Sequence, residues 1–191
     1  MPGRRVGRIG WQLPSQRRTV RRYPSPMDDA LALRLRTLVR DRSVAALGTL
    51  HSAAPYVSMV PFAVLEDGSA FVIHVSGLAA HTRDMLADPR VSLLVIASEE
   101  AGLQPQALPR VTILGDAIRL EPDSAEHTRA REAYLKRFPD SAPVFELGDF
   151  SLFAIAPTTV RFVAGFGQAV SLTSESFAAT VRGADRPGPG A

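Results

Sequence analysis

Residues 56–97 read YVSMVPFAVLEDGSAFVIHVSGLAAHTRDMLADPRVSLLVIA. Two apolar runs, 56–65 and 70–75, flank Glu66-Asp67-Gly68-Ser69, and this pattern predicts two strands joined by a hairpin turn. Residues 79–87 then predict a short helix that ends at Asp88-Pro89, because proline cannot continue a helix. Residues 90–97 return to an apolar, β-branched strand. Most of these connections are too short for a parallel crossover, so the strands are expected to pair antiparallel.

Upstream, residues 43–50 predict another strand, with a turn at Ala53-Ala54-Pro55 before the next. Asp28 and Asp29 suit a helix N-terminus, and Leu31, Leu35 and Leu38 share one helical face after them. Downstream, 98–108 is a polar loop, 110–120 alternates around Gly115, and Pro122-Asp123 opens a helix to about Arg137. Residues 150–156 and 159–166 predict two last strands with a turn at Pro157-Thr158. The expectation is a mainly β domain, an antiparallel six-stranded split β-barrel with flanking helices, which hides the edges that an open sheet would expose. Residues 27–182 are assigned to this domain, 1–26 to a disordered Arg-rich arm and 183–191 to a disordered tail.

The composition sets the class. The 191 residues are 46% hydrophobic and 21% charged, enough apolar material for one packed domain. There is no cysteine, which excludes a disulfide framework, a thiolate metal site and a cysteine nucleophile. No apolar run approaches the roughly 18–20 residues that cross a bilayer, so no membrane partner is expected. The net charge of +3 is a property of the arm, where seven arginines and no acid precede residue 27. That arm has neither the regular apolar face of a transit peptide nor an h-region, and a cytoplasmic location is expected. Its aromatic residues are only Trp11 and Tyr23 and no reader motif is present, so nucleic acid is not the expected partner.

The chemistry concentrates at one junction. His51, His74, His81 and His127 form no HxxxH or HExxH spacing, so no local metal site is expected. His51 falls at a turn, His74 interrupts an apolar strand, and His127 falls on a polar helix face. Ser76-Gly77-Leu78-Ala79-Ala80-His81-Thr82-Arg83 is a strand end, a glycine turn and a helix start. Such a junction offers free backbone N–H groups, hydroxyls and cations to one point, the components of a phosphate site or of a purely structural cap. GxxxxGK[ST], GxGxxG and GxSxG are all absent.

The run from Pro55 to Phe62, the stretch 76–95 and Arg110 to Ala117 together resemble the pyridoxamine 5′-phosphate oxidase-like, FMN-binding split-barrel superfamily. Tyr134 to Pro139, Gly148-Asp149-Phe150 and Gly165-Phe166-Gly167-Gln168-Ala169 resemble its heme-utilisation branch. The resemblance implies an FMN flavoprotein, an oxidoreductase of unassigned small-molecule substrate, that works as a homodimer with flavin at the interface. It places cofactor contacts at Ser58, Met59, Val60, Ser76, His81 and Thr82, with Arg110 and Thr112 reaching the flavin from the neighbouring subunit. The alternative on the same barrel is a non-enzymatic flavin or heme carrier.

Departures from the family pattern refine this. Ser58, Ala63 and His81 stand where the oxidase has phosphate-flanking cations, and 165–171 lacks the Arg–x–His that holds vitamin B6 substrate. Vitamin B6 oxidation is therefore not expected. The chain stops before the extra C-terminal domain whose histidine can ligate heme in heme-degrading members. Only weak heme binding is expected from the chain alone, through one of its four histidines, and His74 and His127 suit that role least.

Overall fold

The computed structural model describes residues 27–99 and 101–183; the expected arm and residues 184–191 of the expected tail lie outside the described residues. Eight strands form one sheet: β1 Val44–His51, β2 Ala54–Pro61, β3 Ala63–Val64, β4 Phe71–Ser76, β5 Arg90–Ile96, β6 Arg110–Arg119, β7 Phe150–Gly165 and β8 Gln168–Leu172. The order is β2-β1-β5-β6-β7-β4-β3, with β8 also on β7, and each pair is antiparallel. Helices α1 Asp29–Asp41, α2 Ala80–Ala87, α3 Ala125–Arg137 and α4 Ser174–Arg182 flank it. The mainly β split-barrel expectation holds, with two more strands than the six expected.

The predicted turn at Pro157-Thr158 is not a turn. β7 runs unbroken through Pro157 for 16 residues. The strand tolerates the missing N–H because the β6–β7 register shifts between Leu114 and Gly115, which sets Gly115 opposite Pro157. The Thr158 hydroxyl donates to the Leu114 carbonyl at 3.1 Å across this irregularity. β6 follows β7 along most of its length, whereas on the other edge β7 pairs with β4 before the bulge and with β8 after it. That change of partner carries the sheet from one half of the barrel to the other.

The β1–β2 hairpin turns earlier than expected, at Ser52-Ala53. Both residues have positive φ, 50° and 64°, as a two-residue type I′ turn requires. Neither is glycine, so the turn holds backbone strain beside His51.

Leu47, Phe62, Phe71, Ile73, Leu93, Ile113 and Phe162 fill the barrel, all fully buried. Leu35 and Val39 of α1 and Phe177 and Val181 of α4 close it, with Phe177 stacked on Phe71 at 5.6 Å between ring centroids. The α4 helix was not anticipated, although Thr173 caps it, Phe177 and Val181 recur at i, i+4, and left-handed Gly183 ends it. Arg36 and Arg40 of α1 donate to the carbonyls of Thr180 and Val181 at 2.9 and 3.0 Å, satisfying the open end of α4.

The other side of the sheet is only half covered. Ala130 and Tyr134 of α3 pack on Val72 and Leu152, so β4 is buried on both faces. Over β2, β1, β5 and β6 nothing among the described residues plays that part. Val57 and Met59 there are 68% and 64% exposed, with Leu114 at 47% and Ile96 at 39%.

Candidate functional site

Helix α2 lies against the end of β1 and brings polar side chains to the barrel. Met85 enters the core, while Thr82 and Asp84 are buried polar residues. Its N-cap, Ala79, has no side chain able to satisfy the first-turn N–H groups. Burial next to that end is taken up by local bonds. Thr82 Oγ1 donates to the Ser76 carbonyl at 2.6 Å, and Leu78 N–H donates to Ser76 Oγ at 3.1 Å. The Ser76 hydroxyl donates in turn to Asp149 Oδ2 at 2.6 Å, and Gly77 N–H to the Asp149 carbonyl at 2.6 Å.

His81 turns towards β2, where Nδ1 lies 3.0 Å from Ser58 Oγ. Its Nε2 is buried without a hydrogen-bond partner among the described residues. Burial lowers the His81 pKa, with the nearby Asp84 opposing, so the ring is neutral at pH 7.

The expected site residues thus separate into groups. Ser58 joins His81, and Ser76 joins Thr82. The Val60 side chain is 1% exposed and belongs to the core. Met59 faces the opposite, bare side of the sheet, as the register Ala46↔Met59, Ala46↔Leu94 and Leu94↔Thr112 places Thr112 on that same face. Arg110 lies two residues before Thr112, and its Nη1 donates to the Gln106 and Leu108 carbonyls at 3.2 and 3.1 Å.

Two acids were missed by sequence reasoning. Asp149 takes the Ser76 hydroxyl that a phosphate would need. Asp84, 5% exposed, accepts from Thr49 Oγ1 at 2.9 Å and from His51 Nδ1 at 2.8 Å. Burial pushes the Asp84 carboxyl up, but the bonds from His51 and Thr49 and the charge of Arg83 outweigh it, leaving the pKa below the usual range. No spacing in the sequence announces this pair, because 33 residues separate its members.

His74 is a wall residue, as expected for its apolar strand. It stacks on Phe145 at 3.9 Å and 10°, with Tyr134 and Phe150 against its other sides. His127 is partly buried rather than exposed, and its charge acts on His74. A cavity of about 750 Å³ between α3 and the β3 hairpin is lined by charged side chains, of which Arg129 pairs with Asp67 and Lys136 with Glu66 at 2.7 Å each. Among the described residues no group of three or more His, Cys, Asp or Glu is placed to hold a metal ion, and no helix is long and apolar enough to cross a membrane.

The family model for pyridoxamine 5′-phosphate oxidase matches residues 32–164. The chain is 38% identical over 140 residues to the non-canonical heme oxygenase HOZ, chloroplastic, of Arabidopsis thaliana, covering 71% of this chain and 40% of that protein. It is 30% identical over 138 residues to the heme oxygenase HutZ of Vibrio cholerae, covering 71% and 77%. A heme-binding protein from Mycobacterium smegmatis superposes with a TM-score of 0.70 at 35% identity, over 78% of this chain and 60% of that one. The chain therefore spans less than half the length of the first relative and about three quarters of the second. A split barrel with α2 set across its end, matched along most of its length by the family model, makes this chain a member of the pyridoxamine 5′-phosphate oxidase-like family, in its heme-utilisation branch.

Proposed function

We propose that this protein binds heme and that its activity is oxygenation of the bound heme. The observation that carries this reading is the identity to two heme oxygenases, 38% and 30%, along the same barrel. The donor set at α2 supports it. A flavin phosphate is a dianion that needs cations and free donors. Here the Ser76 hydroxyl is spent on Asp149, the Thr82 hydroxyl on a carbonyl, and His81 is held neutral by burial. The test is titration with hemin and with FMN, followed by absorbance. A Soret band saturating at one heme per chain, and decaying when ascorbate and oxygen are supplied, is the expected result. A Soret band that persists under those conditions identifies a carrier, and flavin uptake without a Soret band overturns the heme reading.

The second reading is the FMN flavoprotein. It draws on the family match, on the uncapped α2 N-terminus and on the Ser58–His81 pair. In that reading Ser58, Met59, Val60, Ser76, His81 and Thr82 contact the flavin, and Arg110 and Thr112 reach it from a second subunit.

We propose that a second copy of the chain covers the bare face of β2, β1, β5 and β6, as the FMN reading requires. That face carries the exposed Val57, Met59, Ile96 and Leu114, and Arg90 and Asp116 of one register pair for complementary contacts. Burying apolar surface of this kind is favourable by about 25 cal/mol per Å². Met59→Glu is expected to shift the protein from dimer to monomer in sedimentation equilibrium while leaving the melting curve of the monomer cooperative. An unchanged dimer would place the interface elsewhere.

A further inference from the structure

We propose that the cavity between α3 and the β3 hairpin is a second ligand site, one that takes an organic monocarboxylate with an apolar body. Its volume of about 750 Å³ is that of a small-molecule site. None of the residues that the FMN reading gives to the cofactor lines it, and neither does any strand residue of the bare sheet face. The inference is therefore independent of which cofactor the barrel takes.

The charges on the cavity wall do not cancel. Lys136 pairs with Glu66 and Arg129 with Asp67, and the exposed side chains of these pairs form the rim. Arg40, Arg137 and Glu132 also line the cavity, and none of the three has a salt-bridge partner among the described residues. The charge of Arg40 reaches Glu66, but that carboxylate is already bonded to Lys136. Two cations against one acid leave an excess of one positive charge, which a single carboxylate neutralises. The remaining wall is apolar, made of Ala63, Val64, Leu65, Ala133 and Val181.

Arg137 carries the argument. Its one hydrogen bond among the described residues runs from Nη2 to the Arg42 carbonyl, so the buried Nε and the Nη1 group are left without acceptors. The guanidinium lies over the Phe62 and Phe138 rings, 5.2 and 5.9 Å from their centroids, which hold its plane. Burial lowers its pKa and only the charge of Asp41 opposes, so the cation is incompletely compensated. A planar guanidinium fixed in this way is suited to a carboxylate. Arg40 is fixed as well, by its bond from Nη2 to the Val181 carbonyl at 3.0 Å. Residues 1–26 hold seven arginines and no acid, so that segment cannot supply the missing negative charge.

The test is calorimetric titration of the full chain with 2-naphthoate, with uncharged 2-naphthylmethanol and inorganic phosphate as controls. Saturation at one naphthoate per chain is expected, without displacement by hemin or FMN, and with both controls weaker by at least about tenfold. Arg137→Gln is expected to weaken naphthoate by at least about tenfold, the loss of a charge-assisted contact. Because Arg137 also ties down the end of α1, a second variant decides the matter if this one fails to fold. Glu132→Gln removes an exposed acid and should tighten naphthoate about two- to fivefold with an unchanged melt, a gain that unfolding cannot mimic. Naphthoate that fails to bind, binds no better than its alcohol, is displaced by hemin or FMN, or binds Glu132→Gln no more tightly would overturn the site. The rival carboxylate is Asp185, four positions beyond Val181 and outside the described residues. Tightening by at least about tenfold in Asp185→Asn would give the cavity to the chain itself and overturn the proposal, whereas unchanged affinity supports it.

Discussion

Gly115→Ala is expected to cost about 3 kcal/mol, more than an ordinary surface substitution and at the upper end for overpacking. A Cβ at residue 115 would lie 2.3 Å from the Ala156 carbonyl oxygen and 3.0 Å from its carbon, both main-chain atoms. Neither is the end of a flexible side chain, so relief requires β6 and β7 to move apart. They meet at the bulge opposite Pro157, where β7 changes partner from β4 to β8. The damage therefore falls on the joint between the two halves of the barrel. For a domain of this size the melting temperature should drop by about 6–12 °C. Gly148→Ala is the control, since nothing lies within 4 Å of a Cβ there and its backbone is not left-handed. Equal melting temperatures for the two variants would show that the strands separate without cost.

The second large effect is acid sensitivity centred on His74. Burial, helped by the charge of His127, pulls its pKa from 6.5 down to about 4. Between those values the unfolded chain binds a proton that the folded chain refuses, so unfolding is favoured as the pH falls. The contribution of His74 is thus fully present above pH 6.5 and is lost progressively down to about pH 4. At 1.36 kcal/mol per unit, the loss approaches about 3 kcal/mol at the acid end. Denaturant unfolding at a series of pH values measures it. His74→Phe keeps a flat ring against Phe145 but does not titrate, and its stability should fall distinctly less over the same interval. Parallel curves for the two proteins would exclude His74 as the source.

Much of the fold was legible in the sequence, because it rests on local rules. Glu66-Asp67-Gly68-Ser69 turned where expected, with Asp67 accepting from Ser69 N–H at 2.9 Å inside the turn. The Asp88-Pro89 stop ended α2, and Asp28 capped α1 through Leu31 N–H at 2.7 Å. Misreadings arose where a local rule met a nonlocal partner. Pro157 breaks a strand unless the facing strand holds a glycine and a bulge, and Gly115 lies more than forty residues away. α4 carried a full cap and an apolar i, i+4 pair, so its signal was present and unread.

The site divides in the same way. The sequence alone determined that Ser76 to Arg83 joins a strand to a helix, and that these 191 residues offer four histidines and no cysteine. Only the tertiary structure decided which of these groups are free. Asp149 arrives from 73 residues away to occupy Ser76, and α2 crosses the barrel end to set Asp84 against His51. Turns and caps are written in neighbouring residues, whereas hydrogen-bond occupancy and burial depend on which distant segments the closed sheet brings together.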